Sequence, residues 1–158
     1  MLDREQLVFL QTGVSISLAA CNPAGLASIS RGLGCKVSGD GQRLSVFIRH
    51  SQSLELLENV RASARVANVF SLPSSHRTLQ LKGSDARVEV FDQHDLGRIE
   101  THVADFIGEV GPLGIPAEVV RAMLAFPADD LVTVTYTPCA AFSQTPGPKA
   151  GEPIGAAP

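Results

Sequence analysis

Residues 26–49 read LASISRGLGCKVSGDGQRLSVFIR, and this stretch decides the fold. It contains extended runs at 26–31, 35–37 and 44–49. The last two runs flank the turn sequence Ser-Gly-Asp-Gly at 38–41, where glycines can adopt positive φ without steric cost. The stretch therefore predicts an antiparallel hairpin with a further strand before it.

The same pattern continues on both sides of this stretch. Val14, Ile16 and Leu18 alternate with serines, and turn residues at 22–25 then lead into the run at 26–31, which predicts a first hairpin. Further extended runs lie at 65–72, 77–82, 86–91 and 131–137. About seven short strands joined mostly by hairpins favour antiparallel pairing and closure into a barrel over a doubly wound sheet.

Helices are predicted between and around these strands. Helical spacing of apolar residues occurs at 3–11, at 51–62, after Asp92 and between Pro116 and Pro127. The predicted fold class is α+β, with a β-barrel core and peripheral helices. We assign 1–150 to one domain and predict that 151–158, rich in proline and glycine, is a disordered tail.

Length and composition exclude several classes of protein. A chain of 158 residues, 44% hydrophobic and 18% charged, forms one well-cored domain. Its net charge of -3 argues against a nucleic-acid binder. Asp3, Arg4 and Glu5 stand where a secretory signal is apolar, and no apolar run approaches the roughly 20 residues that span a bilayer. We therefore expect a soluble cytoplasmic protein that binds neither nucleic acid nor membrane.

The charge is distributed unevenly along the chain. Residues 1–83 carry nine basic and five acidic residues, whereas 84–158 carry four basic and eleven acidic residues. The first half is therefore at +4 and the second at -7. A small anionic ligand is expected to bind to the first half, unless the asymmetry only reflects a solvated surface.

No motif in the chain identifies a catalytic or metal site. Nucleotide-binding glycine motifs, HExxH and GxSxG are absent. Cys21, Cys35 and Cys139 are widely spaced, and Cys35 is expected to be inert although Lys36 adjoins it. The four histidines do not cluster, although His94 and His102 are eight residues apart and can share a helix face. We predict no metal and name no catalytic residue.

What remains is a set of hydrogen-bond donors and cations in the basic half. Hydroxyls, arginine forks and the amides of a helix N-terminus together satisfy the oxygens and the charge of a phosphate monoester. The members of this set are Ser28, Ser30, Arg31, Lys36, Arg49, Ser51, Ser53, Arg77 and Gln80. They predict a phosphate site near the ends of the first strands.

Five segments follow one another in a characteristic order over about 14–136, namely Arg31-Gly-Leu-Gly-Cys-Lys36, the helix at Ser51, Ala64–Phe70, Thr78–Gly83 and Asp85–Val88. This order of elements resembles the FMN-binding split barrel of the pyridoxamine 5'-phosphate oxidase-like proteins. The C-terminal sequence Phe142–Pro148 also resembles the tail of some members. The resemblance implies an antiparallel split β-barrel and a homodimer with FMN at the interface.

The resemblance also assigns roles to residues. Arg31 and Lys36 have the five-residue spacing of the family's Arg and Lys, so Lys36 is assigned to the substrate. The counterpart of the family's glutamine near the flavin is Gln80 or, with a shifted alignment, the position of Thr78. We assign Phe47 and Ile48 to the cofactor site as well. The family's Ser-Arg-Lys at the phosphate-binding helix is Ser51-Gln52-Ser53 here. Arg31, Arg49 and Arg77 are therefore the candidates that replace the missing charge.

Two functional hypotheses follow from the residues and the resemblance. The first is an FMN-dependent oxidoreductase that acts on a small substrate, without the pyridoxamine phosphate oxidase activity itself, because the family's C-terminal substrate segment has no match. The second is a non-catalytic module of the same fold that stores or senses flavin or haem, with His50 or His76 as the candidate haem ligand.

Overall fold

The alternating runs form two antiparallel sheets in the computed structural model, which describes residues 2–154. The strands are β1 Ser15–Cys21, β2 Ala27–Arg31, β3 Gly34–Val37, β4 Leu44–Arg49, β5 Val66–Ser71, β6 Thr78–Gly83, β7 Arg87–Val90, β8 Leu131–Tyr136 and β9 Ala140–Ser143. One sheet has five strands in the order β2-β1-β5-β6-β9, and the other has four in the order β3-β4-β8-β7.

The predicted hairpins are confirmed, but the closed barrel is not. β1 pairs with β2, and β3 pairs with β4, both antiparallel. β7 leaves the sheet of β6 and pairs with β8 in the other sheet. Among the described residues the strands therefore form two separate sheets instead of one closed barrel.

The strand β9 lies in a part of the chain for which no strand was predicted. It pairs with β6, so it is the edge strand of the five-stranded sheet. The predicted disordered tail starts just beyond it. Of that tail, residues 151–154 hydrogen bond to β9, through Gly151 to Ser143 and Ile154 to Ala141, and 155–158 lie outside the described residues.

Four helices surround the sheets within residues 2–154, at α1 Arg4–Phe9, α2 Leu54–Ser63, α3 Leu96–Val110 and α4 Ala117–Met123. One apolar core lies between the two sheets and includes Ile16, Leu18 and Phe70. A second core lies where α3 and α4 cover the other face of the four-stranded sheet, around Phe47 and Ile99. Both faces of β4 are therefore buried.

The chain passes from one sheet to the other at Gly32. The Gly32 amide donates to the Ile16 carbonyl (2.9 Å), and the next amide, of Leu33, donates to the Phe47 carbonyl (2.8 Å). A Cβ at Gly32 would lie 2.5 Å from Cγ2 of Ile16, closer than side chains tolerate. This close approach fixes the backbone next to Arg31.

Within the described residues, no helix has both the length and the apolar composition needed to cross a membrane.

Candidate functional site

A cavity of about 180 Å³ lies between the end of β2 and the start of α2. It is called the β2–α2 cavity below. Four residues of the predicted phosphate site line it, namely Ser30, Arg31, Arg49 and Ser53. The other lining residues are Ile29, Leu33, Gln52 and Met123. The fold therefore brings together side chains from β2, from the end of β4 and from the start of α2.

The two serines of this cavity are both buried. Ser30 is 8% exposed, and its hydroxyl has no hydrogen-bond partner in the described part of the chain. Ser53 is 3% exposed and stands at the N-cap of α2, but its side chain makes no cap hydrogen bond. Buried polar groups are normally paired, so the unpaired Ser30 hydroxyl beside this cavity suits a ligand with acceptor oxygens.

Positive charge at the cavity comes from two arginines and a helix terminus. Arg31 is exposed and forms no ion pair or side-chain hydrogen bond with residues 2–154. Arg49 is held in place, because its guanidinium donates to the Ala125 carbonyl (2.8 Å) and to Oε1 of Gln52. The N-terminus of α2 adds its dipole to these charges. Hydroxyls and cations in this combination fit a phosphate monoester.

Three other residues of the predicted set point away from this cavity. Ser28 is buried and accepts a hydrogen bond from Nδ2 of Asn59 (2.8 Å). Phe47 packs edge-on against Phe91, with ring centroids 5.2 Å apart, and Ile48 lies in the core between the sheets. Phe47 is therefore buried under α3 and α4, Ile48 is buried between the two sheets, and neither lines the β2–α2 cavity.

Ser51 is paired with a carboxylate from a distant part of the chain. Its hydroxyl donates to Oδ2 of Asp130 (2.6 Å), and its amide donates to Oδ1 (2.8 Å). These two hydrogen bonds lower the pKa of Asp130, so its carboxyl group is ionised at neutral pH. An ionised carboxylate beside Ser51 disfavours a phosphate there, and of the two serines only Ser53 lines the cavity.

Arg77, Gln80 and Lys36 lie elsewhere on the molecule. Arg77 forms an ion pair with Glu5 (2.8 Å). Gln80 accepts a hydrogen bond from Nε2 of Gln144 (3.3 Å). Lys36 forms an ion pair with Asp95 (2.9 Å). Within a single chain, none of the three lines the β2–α2 cavity.

Arg31 and Gln80 lie on the same, solvent-facing side of the five-stranded sheet. The register places Arg31 opposite Ser17, Ser17 opposite Val69, and Val69 opposite Gln80. Ile29, two residues before Arg31 on the same side, is 70% exposed. We call this side the outer face. Arg31 and Gln80 are three strands apart on it, which corresponds to about 14 Å.

Four residues that line the cavity were not among the predicted site residues, namely Ile29, Leu33, Gln52 and Met123. Ile29 alternates with the serines of β2, and this alternation places it on the side of Arg31, so a signal for it was present. Met123 reaches the cavity from α4, about 70 residues away from α2 along the chain. No local pattern could have indicated that contact.

Solved structures share this arrangement of sheets and helices. A structure described as an F420 reductase is 19% identical and covers 89% of this chain and 98% of its own, with a TM-score of 0.58. A pyridoxamine 5'-phosphate oxidase candidate from Lactobacillus delbrueckii is 15% identical over 89% and 93%, with a TM-score of 0.52. HutZ, described as the haem storage protein of Vibrio cholerae, is 15% identical over 90% and 94%, with a TM-score of 0.51.

Neither a scan against protein-family models nor a search of curated proteins gave a match to this sequence. Because these solved structures are only 15–19% identical in sequence to this chain, their similarity shows the fold alone.

Proposed function

Because the chain has the split-barrel fold of pyridoxamine 5'-phosphate oxidase-like proteins, we propose that it is an FMN-dependent oxidoreductase that acts on a small substrate. The observation that carries this proposal is the buried hydroxyl of Ser30, which has no hydrogen-bond partner among the described residues, in a cavity that is also lined by Ser53 and by the unpaired Arg31. A phosphate supplies acceptors for the two hydroxyls and a negative charge for the arginine.

The residues have separate tasks in binding this cofactor. Ser30 and Ser53 donate to phosphate oxygens, and Arg31 neutralises the phosphate charge. Arg49 keeps the β4–α2 junction in position through its hydrogen bond to Ala125. When bound, the flavin supplies the electron-transfer chemistry, and the protein supplies binding and orientation.

The size of the cavity supports a homodimer. A volume of about 180 Å³ holds a phosphate, but sites for whole drug-sized ligands measure about 300–1,000 Å³. The rest of the flavin therefore needs a second surface. The outer face provides one for a second copy, because it exposes Ile29 and includes the small apolar residues Ala19, Ala67 and Val69.

The outer face also gives Gln80 a role at the cofactor. Within one chain Gln80 is three strands away from Arg31, too far to contact a phosphate at Arg31. Gln80 therefore belongs at the ring end of the flavin, which it reaches along the outer face of the same chain or from a second copy packed on that face.

The alternative is a non-catalytic module that binds flavin or haem, and HutZ supports it through its described role in haem storage. Among the described residues, however, the β2–α2 cavity is lined by no histidine. His50 and His76, the haem-ligand candidates from the sequence, are both exposed. Haem binding therefore lacks an axial ligand at this cavity.

The absorption spectrum of the purified protein, supplied separately with FMN and with haemin, distinguishes the two functions. We expect a flavin spectrum that persists through gel filtration and bleaches on reduction, together with oxidation of a nicotinamide cofactor or reduced F420. A Soret band retained in place of the flavin, or a retained flavin that oxidises neither reductant, supports the alternative. A protein that retains neither ligand contradicts both.

A further inference from the structure

A second cavity, of about 360 Å³, lies between α3, β3 and the turn that follows α1. We call it the α3 cavity. It is twice the size of the β2–α2 cavity and shares no lining residue with it. Its chemistry comes mainly from one face of α3, where Arg98, His102 and Asp105 follow one another at helical spacing.

The imidazole of His102 is the buried polar group of this cavity. His102 is 9% exposed and lines the cavity, and neither ring nitrogen has a hydrogen-bond partner among residues 2–154. Its ring stacks on Phe106, with centroids 6.4 Å apart. Burial lowers the pKa of His102 to about 4, so at neutral pH the ring offers one donor and one acceptor.

The end of the cavity at Arg98 carries a positive charge. Nε of Arg98 lies 3.0 Å from Oδ1 of Asp95, and Nζ of Lys36 lies 2.9 Å from Oδ2 of the same carboxylate. Two cations therefore share one anion. The terminal nitrogens of Arg98 have no partner in the described part of the chain, so they are available to a ligand carboxylate.

The other end carries a negative charge. Asp105 lies seven residues after Arg98, which is about 10 Å along a helix axis. Its carboxylate forms no ion pair or hydrogen bond with other described residues. The α3 cavity is therefore cationic at one end and anionic at the other, with a neutral hydrogen-bonding ring between them.

We propose that the α3 cavity binds an elongated zwitterion with a central amide, such as a dipeptide. Its carboxylate pairs with Arg98, its ammonium group pairs with Asp105, and its amide hydrogen bonds to His102. An α-amino acid alone has its two charges too close together to reach both ends.

The remaining lining mixes the polar residues Gln11, His94 and Thr101 with Gly97 and a small apolar patch, and the thiol in that patch is unreactive, which favours binding over covalent chemistry. Leu10 and Cys35 contribute to the apolar patch. Burial raises the pKa of the Cys35 thiol to about 12, and its Sγ donates to the Leu10 carbonyl (3.2 Å). A thiol that stays protonated is a poor nucleophile, so this part of the cavity serves a small apolar side chain of the ligand.

Calorimetry with four matched probes tests the proposal. The probes are glycyl-leucine, its N-acetyl form, its C-terminal amide, and 6-aminohexanoate, which lacks the central amide. We expect glycyl-leucine to bind at least tenfold more tightly than each of the other three. It should also shift the ¹⁵N resonances of the His102 ring, a readout of direct contact.

Substitutions at Arg98 and Asp105 test whether these residues bind the two charged ends of the ligand. Arg98→Gln and Asp105→Asn are expected to weaken glycyl-leucine binding at least tenfold, whereas the exposed controls Arg121→Gln and Glu100→Gln leave it within twofold. The proposal is overturned if glycyl-leucine does not shift the His102 resonances at millimolar concentration, or if the acetylated and amidated forms bind as tightly as the parent. Binding that survives both cavity variants overturns it as well.

Discussion

Ser30 at the end of β2 and Ser53 at the N-cap of α2 belong to different elements, yet both residues line one cavity. The Ser30 hydroxyl is buried and has no hydrogen-bond partner among the described residues. A buried polar group without a partner lowers stability, so this hydroxyl is better explained by binding than by folding.

Replacing Ser30 by alanine should separate the contribution of its hydroxyl to stability from its contribution to FMN binding. The variant removes a buried hydroxyl that makes no protein hydrogen bond, so its free energy of unfolding should stay within about 1 kcal/mol of wild type or rise. FMN affinity should fall about tenfold, since a hydrogen bond to a charged group is lost. Urea unfolding and fluorescence titration measure the two quantities. A stability loss above about 2 kcal/mol would instead assign the hydroxyl to the fold.

The outer face should hold the two copies together. Ile29 is 70% exposed in the single chain, so Ile29→Glu should scarcely alter monomer stability but should convert a dimer to a monomer and weaken FMN binding. Light scattering coupled to gel filtration gives the mass. Val90→Glu is the matched control, because Val90 is 93% exposed and lies on the other sheet. A wild-type protein that scatters as a single chain contradicts this assignment.

Close packing at Gly83 should make this position intolerant of a side chain. A Cβ there would lie 2.4 Å from Cδ2 of Tyr136, which is fully buried. Gly83→Ala should therefore lower the free energy of unfolding by about 1–3 kcal/mol. Gly108→Ala on α3 meets nothing within 4 Å and should raise stability by up to about 1 kcal/mol. If urea unfolding gives the same change in the free energy of unfolding for both variants, close packing against Tyr136 does not account for the effect at Gly83.

The buried imidazole of His102 should make stability depend on pH. Its pKa is about 4 in the folded protein, below the ordinary value of 6.5, chiefly because of burial and in spite of the nearby Asp105. Between pH 4 and 6.5 the unfolded chain therefore binds more protons, so stability falls as the pH falls through this range. The loss amounts to about 3 kcal/mol at most.

Urea unfolding of wild type and His102→Phe at pH 7 and pH 4.5 tests this dependence. The variant keeps an aromatic ring against Phe106 and should lose less stability on acidification. The pKa values of Asp40, Asp85 and Asp130 are lowered by hydrogen bonds, so these carboxyl groups remain ionised over this range. The same loss in both proteins would show that His102 is not responsible.

Local patterns were sufficient to predict most of the fold. The β1–β2 and β3–β4 hairpins and the helix after Asp92 follow from alternation, turn residues and helical spacing. β9 was missed because Ala140–Ser143 is short, follows a proline and contains two alanines. Its pairing with β6 depends on a contact about 60 residues away along the chain.

The site was predictable only where its residues adjoin one another along the chain. Ser30 and Arg31 end β2, and Arg49 and Ser53 flank the start of α2, so the prediction brought these residues to one place. Ser51 does not line the cavity and is paired instead with Asp130, which is 79 residues away and so beyond any local pattern. Phe47 does not line it either, since a strand buried on both faces cannot be distinguished by alternation from one with a ligand-facing side.

Titration of FMN into wild type, Arg31→Ala and the exposed control Arg65→Ala tests the central claim most directly, with flavin fluorescence as the readout. We expect wild type and Arg65→Ala to bind within twofold of each other and Arg31→Ala to bind at least tenfold more weakly, a difference of about 1.4 kcal/mol or more. Equal affinity of all three proteins for FMN would contradict the assignment of the phosphate to the β2–α2 cavity.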